Sequence, residues 1–428
     1  MHFSRHLKSI SFYSLLLLLI SSCAANQNSK GNPEIDASEI KAHISFLADD
    51  ELEGREAGTA GEAIAANYIS DLFRDYGLEP AGDDNTYLQQ FTINTAVLKN
   101  PHATDATDGE KRLAQNIVGT LQGTGNEDEF IVIGAHYDHL GYGDGGFGSL
   151  YRGDSLLIHN GADDNASGTA GLLELAQYFS KYRPSKDILF IAFSGEEMGL
   201  LGSDYYVNNP TVDLDNALAM INMDMIGRMD NNKLMIFGIG TADDWTDILN
   251  TANTDSLTLN LVKDGTGASD HTSFYYKNIP VLHYFTDTHA DYHRPSDDVE
   301  FINFEGLALV LNHITRVVST LDDLNREQLV FKEAPGQQSR AMSLDGPTLG
   351  VLPDYGYEGK GMKITGVTKG KAAANAGVKG GDIITNIGGE DLADIYAYMG
   401  MLNRLKKGQL TTITVLRDGK ELTFDLQL

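Results

Sequence analysis

The chain reads Ile131-Val132-Ile133-Gly134-Ala135-His136-Tyr137-Asp138-His139 at the point where apolar residues give way to ionisable ones. The apolar half is typical of a buried strand that approaches the edge of a sheet. Side chains two positions apart on a strand share a face, so His136 and Asp138 are expected to project together where the strand ends. Open α/β sheets carry their functional residues at this edge. We therefore expect His136 to be the first ligand of a metal site.

The composition is that of an acidic globular protein. The 428 residues include 32 Lys and Arg against 60 Asp and Glu, a formal net charge of −28, and 42% of the residues are hydrophobic. A surface of this sign repels nucleic acids and anionic lipid headgroups, so neither is expected as a partner. The chain contains a single cysteine, Cys23, which excludes an intramolecular disulfide.

The amino terminus has the layout of an export signal. Basic and His residues precede an apolar run at 12–20, which is too short to cross a bilayer comfortably. Ile20-Ser21-Ser22-Cys23 resembles a bacterial lipobox, which implies cleavage before Cys23 and lipidation of its thiol. We expect a lipoprotein signal peptide over 1–22 and a polar tether over 23–35. The mature protein would then be an exported lipoprotein of the cell envelope, on the periplasmic side of a Gram-negative outer membrane, held to the membrane only by its lipid anchor.

Strands and helices alternate along most of the chain. The apolar runs that predict buried strands lie at 131–135, 187–193, 217–223 and 281–284. Helices are predicted between them, one of them over about 198–206, and a long closing helix over 304–321. This alternation predicts an α/β fold with a mostly parallel central sheet flanked by helices. The chain then becomes polar and afterwards β-rich, so we expect a linker over 326–342 and a small β-rich domain over 343–428.

A glycine-rich stretch follows the first predicted strand. Residues 141–148 contain a G-x-G-x-x-G pattern. A dinucleotide-binding fingerprint also needs a helix to begin there, and the residues that follow are typical of more loop. Nucleotide binding is therefore disfavoured, and we expect a mobile surface loop near the site.

Imidazole and carboxylate side chains recur at strand ends and sharp turns: His136, Asp164, Glu197, Asp224 and His293, with Glu196 beside Glu197. Buried carboxylates cost several kcal/mol unless a cation compensates them, and Zn²⁺ accepts both kinds of ligand. Two Zn²⁺ and one hydroxide would neutralise the charge of −3 that the three carboxylates contribute. Of the pair Asp163-Asp164, the count from Ser167-Gly168 favours Asp164 as the ligand. The sequence contains no H-E-x-x-H, so a single-helix zinc protease is unsupported.

Five segments in order carry a resemblance to a known family: His136-Tyr137-Asp138-His139, Gly161-Ala162-Asp163-Asp164-Asn165-Ala166-Ser167-Gly168, Ser194-Gly195-Glu196-Glu197-Met198-Gly199-Leu200-Leu201-Gly202-Ser203, Asn222-Met223-Asp224-Met225-Ile226-Gly227 and Tyr292-His293-Arg294-Pro295-Ser296-Asp297. They resemble the signature of the M28 metallopeptidases, which are dizinc aminopeptidases. The resemblance covers about 37–321. It implies the zinc exopeptidase fold, a peptidase domain over 36–325 and two Zn²⁺ as cofactors.

The resemblance also implies a role for each residue of the centre. The implied ligands are His136 and Asp224 at one zinc ion, Glu197 and His293 at the other, and Asp164 as a bridge between the two. Glu196 is implied as the general base that activates the attacking water. Asp138 is implied as the carboxylate that orients His136. The implied reaction removes the N-terminal residue from peptides that have a free N-terminus.

Further residues are implied to contact substrate. Ser269, Asp270, His271 and Phe274 match an S-D-H-x-x-F segment that resembles the one lining the family's specificity pocket. The Ser, Asp and His are contiguous, so they do not indicate a serine triad, and no G-x-S-x-G elbow is present. Tyr292, next to a ligand, either donates to the oxyanion or serves as a packing aromatic.

A second resemblance lies in the β-rich C-terminal region. Ala373-Ala374-Asn375-Ala376-Gly377-Val378-Lys379-Gly380-Gly381-Asp382-Ile383-Ile384 resembles a run found in bacterial PDZ domains. Thr348-Leu349-Gly350-Val351 resembles their carboxylate-binding loop. The resemblance implies that Leu349, Gly350 and Val351 receive the C-terminus of a peptide by strand addition. A structural cap that binds nothing is the alternative.

Two other functions stay open. A glutaminyl cyclase shares the implied fold but works with one zinc ion, and it would release ammonia from a Gln-initiated peptide instead of shortening it. A non-catalytic peptide-binding relative would have lost ligands, and this chain retains the whole implied set. An aminopeptidase is therefore favoured.

Overall fold

The computed structural model describes residues 35, 37–94, 111–125, 128–143, 148–151, 153, 155–334, 349–353, 359–367, 371–392, 397–398, 401, 405–406, 408–417 and 419–428. The predicted signal peptide and Cys23 lie outside these ranges, as does most of the predicted tether. Within them, helices fall short of the length and apolar character that crossing a bilayer requires.

Among the described residues, nine strands form one large mixed sheet. These strands are β1 Glu79–Pro80, β2 Leu88–Asn94, β3 Lys111–Leu121, β4 Phe130–His136, β5 Asp187–Phe193, β6 Ala217–Met223, β7 Lys233–Phe237, β8 Thr258–Leu261 and β9 Val281–Phe285. Their order is β1-β3-β5-β4-β6-β9-β7-β8, and β2 pairs with β3. The central strands β5, β4, β6 and β9 run parallel, whereas β3 and β7 join them antiparallel. The prediction of an α/β fold with a parallel central sheet is therefore confirmed.

The central strands are apolar because helices cover both faces of the sheet. Every residue of β4 and β6 is buried, as expected for parallel strands between two helical layers. Ile131 and Ile133 pack into one hydrophobic cluster, and Phe130 and Val132 pack into another on the opposite face. The alternation follows from the two-residue period of a strand.

The helices are α1 Ala37–Leu47, α2 Ala60–Asp75, α3 Gly168–Lys181, α4 Leu201–Asn208, α5 Trp245–Ala252, α6 His271–Tyr275 and α7 Phe304–Asp322. Apolar residues of α1, α2, α3, α5 and α7 pack in the first cluster, and residues of α4 and α6 pack in the second. The helix expected over 198–206 starts later than predicted. Gly199 and Leu200 adopt positive φ angles of 98° and 63°, which end the preceding turn and delay the helix to Leu201.

A separate six-stranded sheet forms the C-terminal region within the described ranges. Its elements are β10 Val351–Pro353, β11 Met362–Val367, α8 Ala372–Ala376, β12 Ile383–Ile387, β13 Glu390–Asp391, β14 Leu410–Arg417 and β15 Lys420–Gln427. The sheet has its own hydrophobic cluster, in which Leu349, Ile384 and Val415 are fully buried. The small β-rich domain predicted beside the main sheet is confirmed.

The first part of the predicted linker packs against the large sheet's core. Leu329 and Ala334 are buried. Lys332 N donates to Thr241 O at 2.8 Å, and Ala334 N donates to the Tyr275 hydroxyl at 3.1 Å. Most of the remaining linker prediction lies outside the described residues.

Candidate metal centre

The carboxyl ends of the central parallel strands meet at one edge of the large sheet, and the candidate residues lie there. His136 is the last residue of β4, Glu196 and Glu197 follow β5, and Asp224 follows β6 directly. His293 lies in the loop after β9, and Asp164 lies in the turn before α3. The fold thus brings segments far apart in sequence to a single edge, as open α/β sheets do.

One group of donors gathers around His136. Its Nε2 lies 3.5 Å from Asp164 Oδ1 and 3.3 Å from Asp224 Oδ1. All three side chains are buried. They form a cluster that could hold a metal ion.

A second group gathers around the other oxygen of the same aspartate. His293 Nε2 lies 3.1 Å from Asp164 Oδ2 and 3.2 Å from Glu197 Oε2. Asp164 therefore turns one carboxylate oxygen toward each group. The structure brings together all five residues that the resemblance implies as ligands.

The donor set fits zinc. Two ligand atoms at about 2.0–2.1 Å from one tetrahedral zinc ion lie about 3.3 Å apart, and the separations within the two groups are 3.1–3.5 Å. Among the described residues, His136 Nε2 and Asp224 Oδ1 are buried donor atoms without a hydrogen-bond partner. Such atoms are costly unless a cation engages them.

The ionisable groups strongly influence one another's pKa values. Burial lowers the pKa of His136, but the carboxylates of Glu196 and Asp224 raise it well above its usual value. Burial likewise opposes the charge on His293, yet Glu197 and Asp164 raise its pKa well above the usual range. Each imidazole must be neutral to bind a metal, so zinc binding at this centre is expected to release protons.

Asp138 contacts the centre through both its carboxylate and its main-chain carbonyl. Its Oδ1 accepts a hydrogen bond from Glu196 N at 3.1 Å and lies 3.7 Å from His136 Nδ1. The main-chain carbonyl of Asp138 is closer to that ring nitrogen, at 3.2 Å. The carbonyl and the carboxylate of Asp138 therefore both lie near His136 Nδ1, and the carboxylate also holds the turn that carries Glu196.

Asp297 supports the bridging residue. Its Oδ2 accepts hydrogen bonds from both Asp163 N and Asp164 N at 3.0 Å. Asp163 Oδ1 accepts from Gly227 N at 2.7 Å, so this carboxylate braces the loop after β6 instead of joining the donors. Asp297 ends the last of the resembling segments, but the sequence alone indicated no role for it.

Arg55 is a second residue that the sequence analysis missed. The guanidinium is buried, and its hydrogen bonds within the described part of the chain go to main-chain carbonyls: Tyr137 O at 2.8 Å, Asn160 O at 2.7 Å, Gly161 O at 3.2 Å, and Leu47 O. Burial lowers the pKa of Arg55 to about 10, while Asp138 and other nearby carboxylates favour its charge. Arg55 thereby ties the segment after β4 to the loop that precedes Asp164.

The glycine-rich segment also reaches the centre. Gly148 O accepts a hydrogen bond from His293 Nδ1 at 2.8 Å, and Leu150 N donates to His293 O at 2.8 Å. A carbonyl acceptor on Nδ1 leaves Nε2 free to bind a metal. The part of this loop that the structure describes therefore orients a candidate ligand.

The residues expected to contact substrate lie beside the donors, with differing exposure. Asn222 Nδ2 donates to Ser269 Oγ at 2.8 Å, and the ring of His271 stacks on that of His283 with centroids 4.5 Å apart. Burial raises the pKa of Asp270 to about 7. Phe274 is fully buried against Phe193 and Tyr206. The Tyr292 ring stacks on the His293 ring, with centroids 3.8 Å apart. Their contacts with substrate remain predictions.

The segment implied to bind a peptide carboxylate is partly described. Leu349 is buried, and its carbonyl accepts from Ala373 N at 2.9 Å. Gly350 has a φ of 70°, which favours glycine, and Val351 begins the short strand β10. These residues lead into β10, which stands at the edge of the small sheet among the described residues.

Two regions of the chain match known families. Residues 116–318 match the profile described as "Peptidase family M28", and residues 336–428 match the profile described as "PDZ domain". The two matches fall on the large sheet and on the small sheet, respectively.

Two relatives each match about half of this chain. A "Probable zinc metalloprotease" of Pyrenophora tritici-repentis is 31% identical over 206 residues, which is 47% of this chain and 42% of that protein. Aminopeptidase YwaD of Bacillus subtilis is 29% identical over 221 residues, 48% of this chain and 44% of that protein. The chain thus spans less than half the length of these relatives.

Solved structures share the fold. BSAP, a zinc aminopeptidase from Bacillus subtilis, aligns with a TM-score of 0.53 and 18% identity over 70% of this chain and 99% of that one. A glutaminyl cyclase from Bacteroides thetaiotaomicron aligns with a TM-score of 0.55 and 21% identity over 68% of this chain and 99% of that one. At this level of identity the structures establish the fold and leave the reaction to the site.

Proposed function

We propose that this protein is a zinc-dependent aminopeptidase that removes the N-terminal residue of peptides, starting from the match of residues 116–318 to peptidase family M28. The observation that carries the proposal is the geometry of Asp164. Its two carboxylate oxygens face separate donor groups, at 3.5 Å from His136 Nε2 and 3.1 Å from His293 Nε2. A carboxylate placed in this way supports a pair of zinc ions, with His136 and Asp224 at one and Glu197 and His293 at the other.

When bound, the zinc ions supply Lewis acidity and lower the pKa of water, as zinc does in hydrolases. The protein supplies the proton transfer. Burial and the neighbouring carboxylates raise the pKa of Glu196 well above its usual value, against the opposing effect of His136. Glu196 is therefore suited to take a proton from the attacking water and to pass it to the leaving amine. Asp138 fixes the main chain of Glu196 for this role.

The function is tested with a panel of chromogenic aminoacyl substrates on metal-free protein, before and after zinc is added. We expect no turnover without metal and restored turnover with two equivalents of zinc per chain. N-acetylated versions of the same substrates should resist hydrolysis, because the reaction needs a free N-terminus. Equal cleavage of free and acetylated substrates would overturn the assignment as an aminopeptidase.

A glutaminyl cyclase is the second candidate, because a protein of that name shares the fold. Incubation with a Gln-initiated peptide separates the two reactions by mass spectrometry. An aminopeptidase shortens the peptide by one residue, whereas a cyclase leaves its length unchanged and removes one ammonia. The donor groups on both sides of Asp164 favour the aminopeptidase.

The remaining parts of the chain complete the proposal. The match of residues 336–428 to a PDZ domain supports peptide binding there, with Leu349, Gly350 and Val351 receiving a peptide C-terminus. Lipidation of Cys23 and location in the bacterial envelope remain our proposal from the sequence.

A further inference from the structure

A histidine outside the implied ligand set lies within the centre. His139 is buried, and its Nδ1 lies 2.7 Å from Glu197 Oε1 and 4.0 Å from Asp164 Oδ2. Its ring also meets the ring of His293 edge-on, with centroids 5.8 Å apart. A His139–Glu197–Asp164 cluster therefore overlaps the group that His293 forms with the same carboxylates.

The distances separate His139 from the ligands. The donor atoms of the two groups lie 3.1–3.5 Å apart, close to the spacing of about 3.3 Å expected around one tetrahedral zinc ion. The 2.7 Å between His139 Nδ1 and Glu197 Oε1 is shorter than that spacing. It matches a charge-assisted N–H···O hydrogen bond, about 2.7–2.9 Å long. A contact of this length suits donation from His139 to the carboxylate better than ligation of one ion by both residues.

Main-chain contacts hold the His139 ring in place. His139 N donates to Arg55 O at 3.2 Å, which fixes the main chain. The ring lies against Gly161, where an added Cβ would come within 2.6 Å of the imidazole. Among the described residues, neither ring nitrogen has another hydrogen-bond partner. The ring is thus positioned independently of any ion and is available to Glu197.

We propose that His139 is a positioning residue that donates its Nδ1–H to Glu197 Oε1, so that Glu197 presents Oε2, beside His293, to the metal. The inference rests on the proposed dizinc function. Without His139, Glu197 is free to rotate, and the zinc position that it shares with His293 weakens. The position formed by His136 and Asp224 keeps its ligands. Loss of such a supporting contact typically costs 10–100-fold in metal affinity.

The test measures zinc binding to metal-free protein by calorimetry and by competition with a chromophoric chelator, together with the visible spectrum after cobalt substitution. The variants are His139→Ala and His139→Asn, because the Asn Nδ2 donor can stand where His Nδ1 stands. His43→Asn is the matched control, because His43 is a buried histidine of helix α1 whose Nε2 lies 3.5 Å from buried Glu174 of helix α3. Circular dichroism of the metal-free proteins checks that each variant folds.

We expect wild type and His43→Asn to bind two zinc ions each, and the affinity for each ion should be the same in the two proteins. His139→Ala should bind the first as wild type does and the second about 10–100-fold more weakly, and His139→Asn should restore the second. If the zinc affinities of His139→Ala equalled those of wild type, His139 would only pack in the core and the inference would be overturned. Failure of a folded His139→Asn to restore the second ion would also overturn it, because a donor role would then be replaced by direct ligation. If the wild-type protein failed to bind two zinc ions per chain, the proposed dizinc function would be wrong.

Discussion

At the scale of single residues, two adjacent glutamates have been placed in opposite environments. Burial alone would raise the pKa of Glu197, but His293 and His139 beside it lower the pKa well below its usual value. Burial raises the pKa of Glu196 well above the usual range. Paired carboxyl groups whose environments separate their pKa values take different chemical roles. One residue therefore suits metal binding as a carboxylate, and its neighbour suits proton transfer.

This contrast predicts different effects for the two amide substitutions. Glu196→Gln should keep both zinc ions and lower kcat by about 10²–10⁴-fold, the usual contribution of a general base. Glu197→Gln should lose an ion, because the amide is a poorer ligand. Metal analysis and kcat on one aminoacyl substrate, measured on both variants, check this. If Glu196→Gln retained activity close to wild type, Glu196 could not be the base.

At the scale of secondary-structure elements, Glu62 joins a helix to the sheet beneath the centre. This α2 residue is buried, and its Oε1 accepts from the Ser194 hydroxyl at 2.7 Å, the Tyr137 hydroxyl at 2.8 Å and Gln115 N at 3.3 Å. Burial raises the pKa of Glu62 from 4.5 to about 7, although these hydrogen bonds oppose the shift. The folded state therefore holds this proton more tightly than the unfolded chain does.

The sign of the pH effect follows from that difference. The folded protein binds more protons between pH 4.5 and about 7, so the contribution of Glu62 to the free energy of unfolding falls as the pH rises through this window. The fall is at most about 3.4 kcal/mol, from a shift of about 2.5 pKa units at about 1.36 kcal/mol each. Melting temperatures of wild type and Glu62→Gln, compared from pH 4.5 to 8, should therefore diverge in favour of the variant. The exposed Glu300→Gln supplies the control, and a pH-independent difference for Glu62→Gln would contradict the shift.

Elements with local signals were predictable, and contacts between distant segments were not. The apolar runs of β4, β5, β6 and β9 and the polar residues at their ends predicted the sheet and the edge where the donors meet. Arg55 and Asp297 act on main-chain groups about 80–130 positions away, and no periodicity marks such partners. The late start of α4 depends on a positive φ at Leu200, a conformation that leucine rarely adopts and that its sequence does not indicate.

At the scale of the whole molecule, the two sheets have separate cores. Every donor of the centre lies between His136 and His293, and α7 with Leu329 and Ala334 completes the packing of the large sheet. The small sheet encloses its own cluster, with Leu349 and Ile384 fully buried. Within the small sheet, Arg417 forms a two-point salt bridge with Asp382 at 2.6 Å. Each sheet thus has a hydrophobic core of its own.

This separation predicts that the peptidase reaction survives removal of the C-terminal domain. A chain ending at Met342 should hydrolyse small aminoacyl substrates with kcat/KM within a factor of about two of the full chain, since domains with their own cores fold independently. A chain ending at Leu324 is the matched comparison. It also loses buried Leu329 and Ala334, so its melting temperature should fall. Steady-state kinetics and thermal unfolding of the three proteins check this, and complete loss of activity in the chain ending at Met342 would mean that the C-terminal domain helps to build the centre.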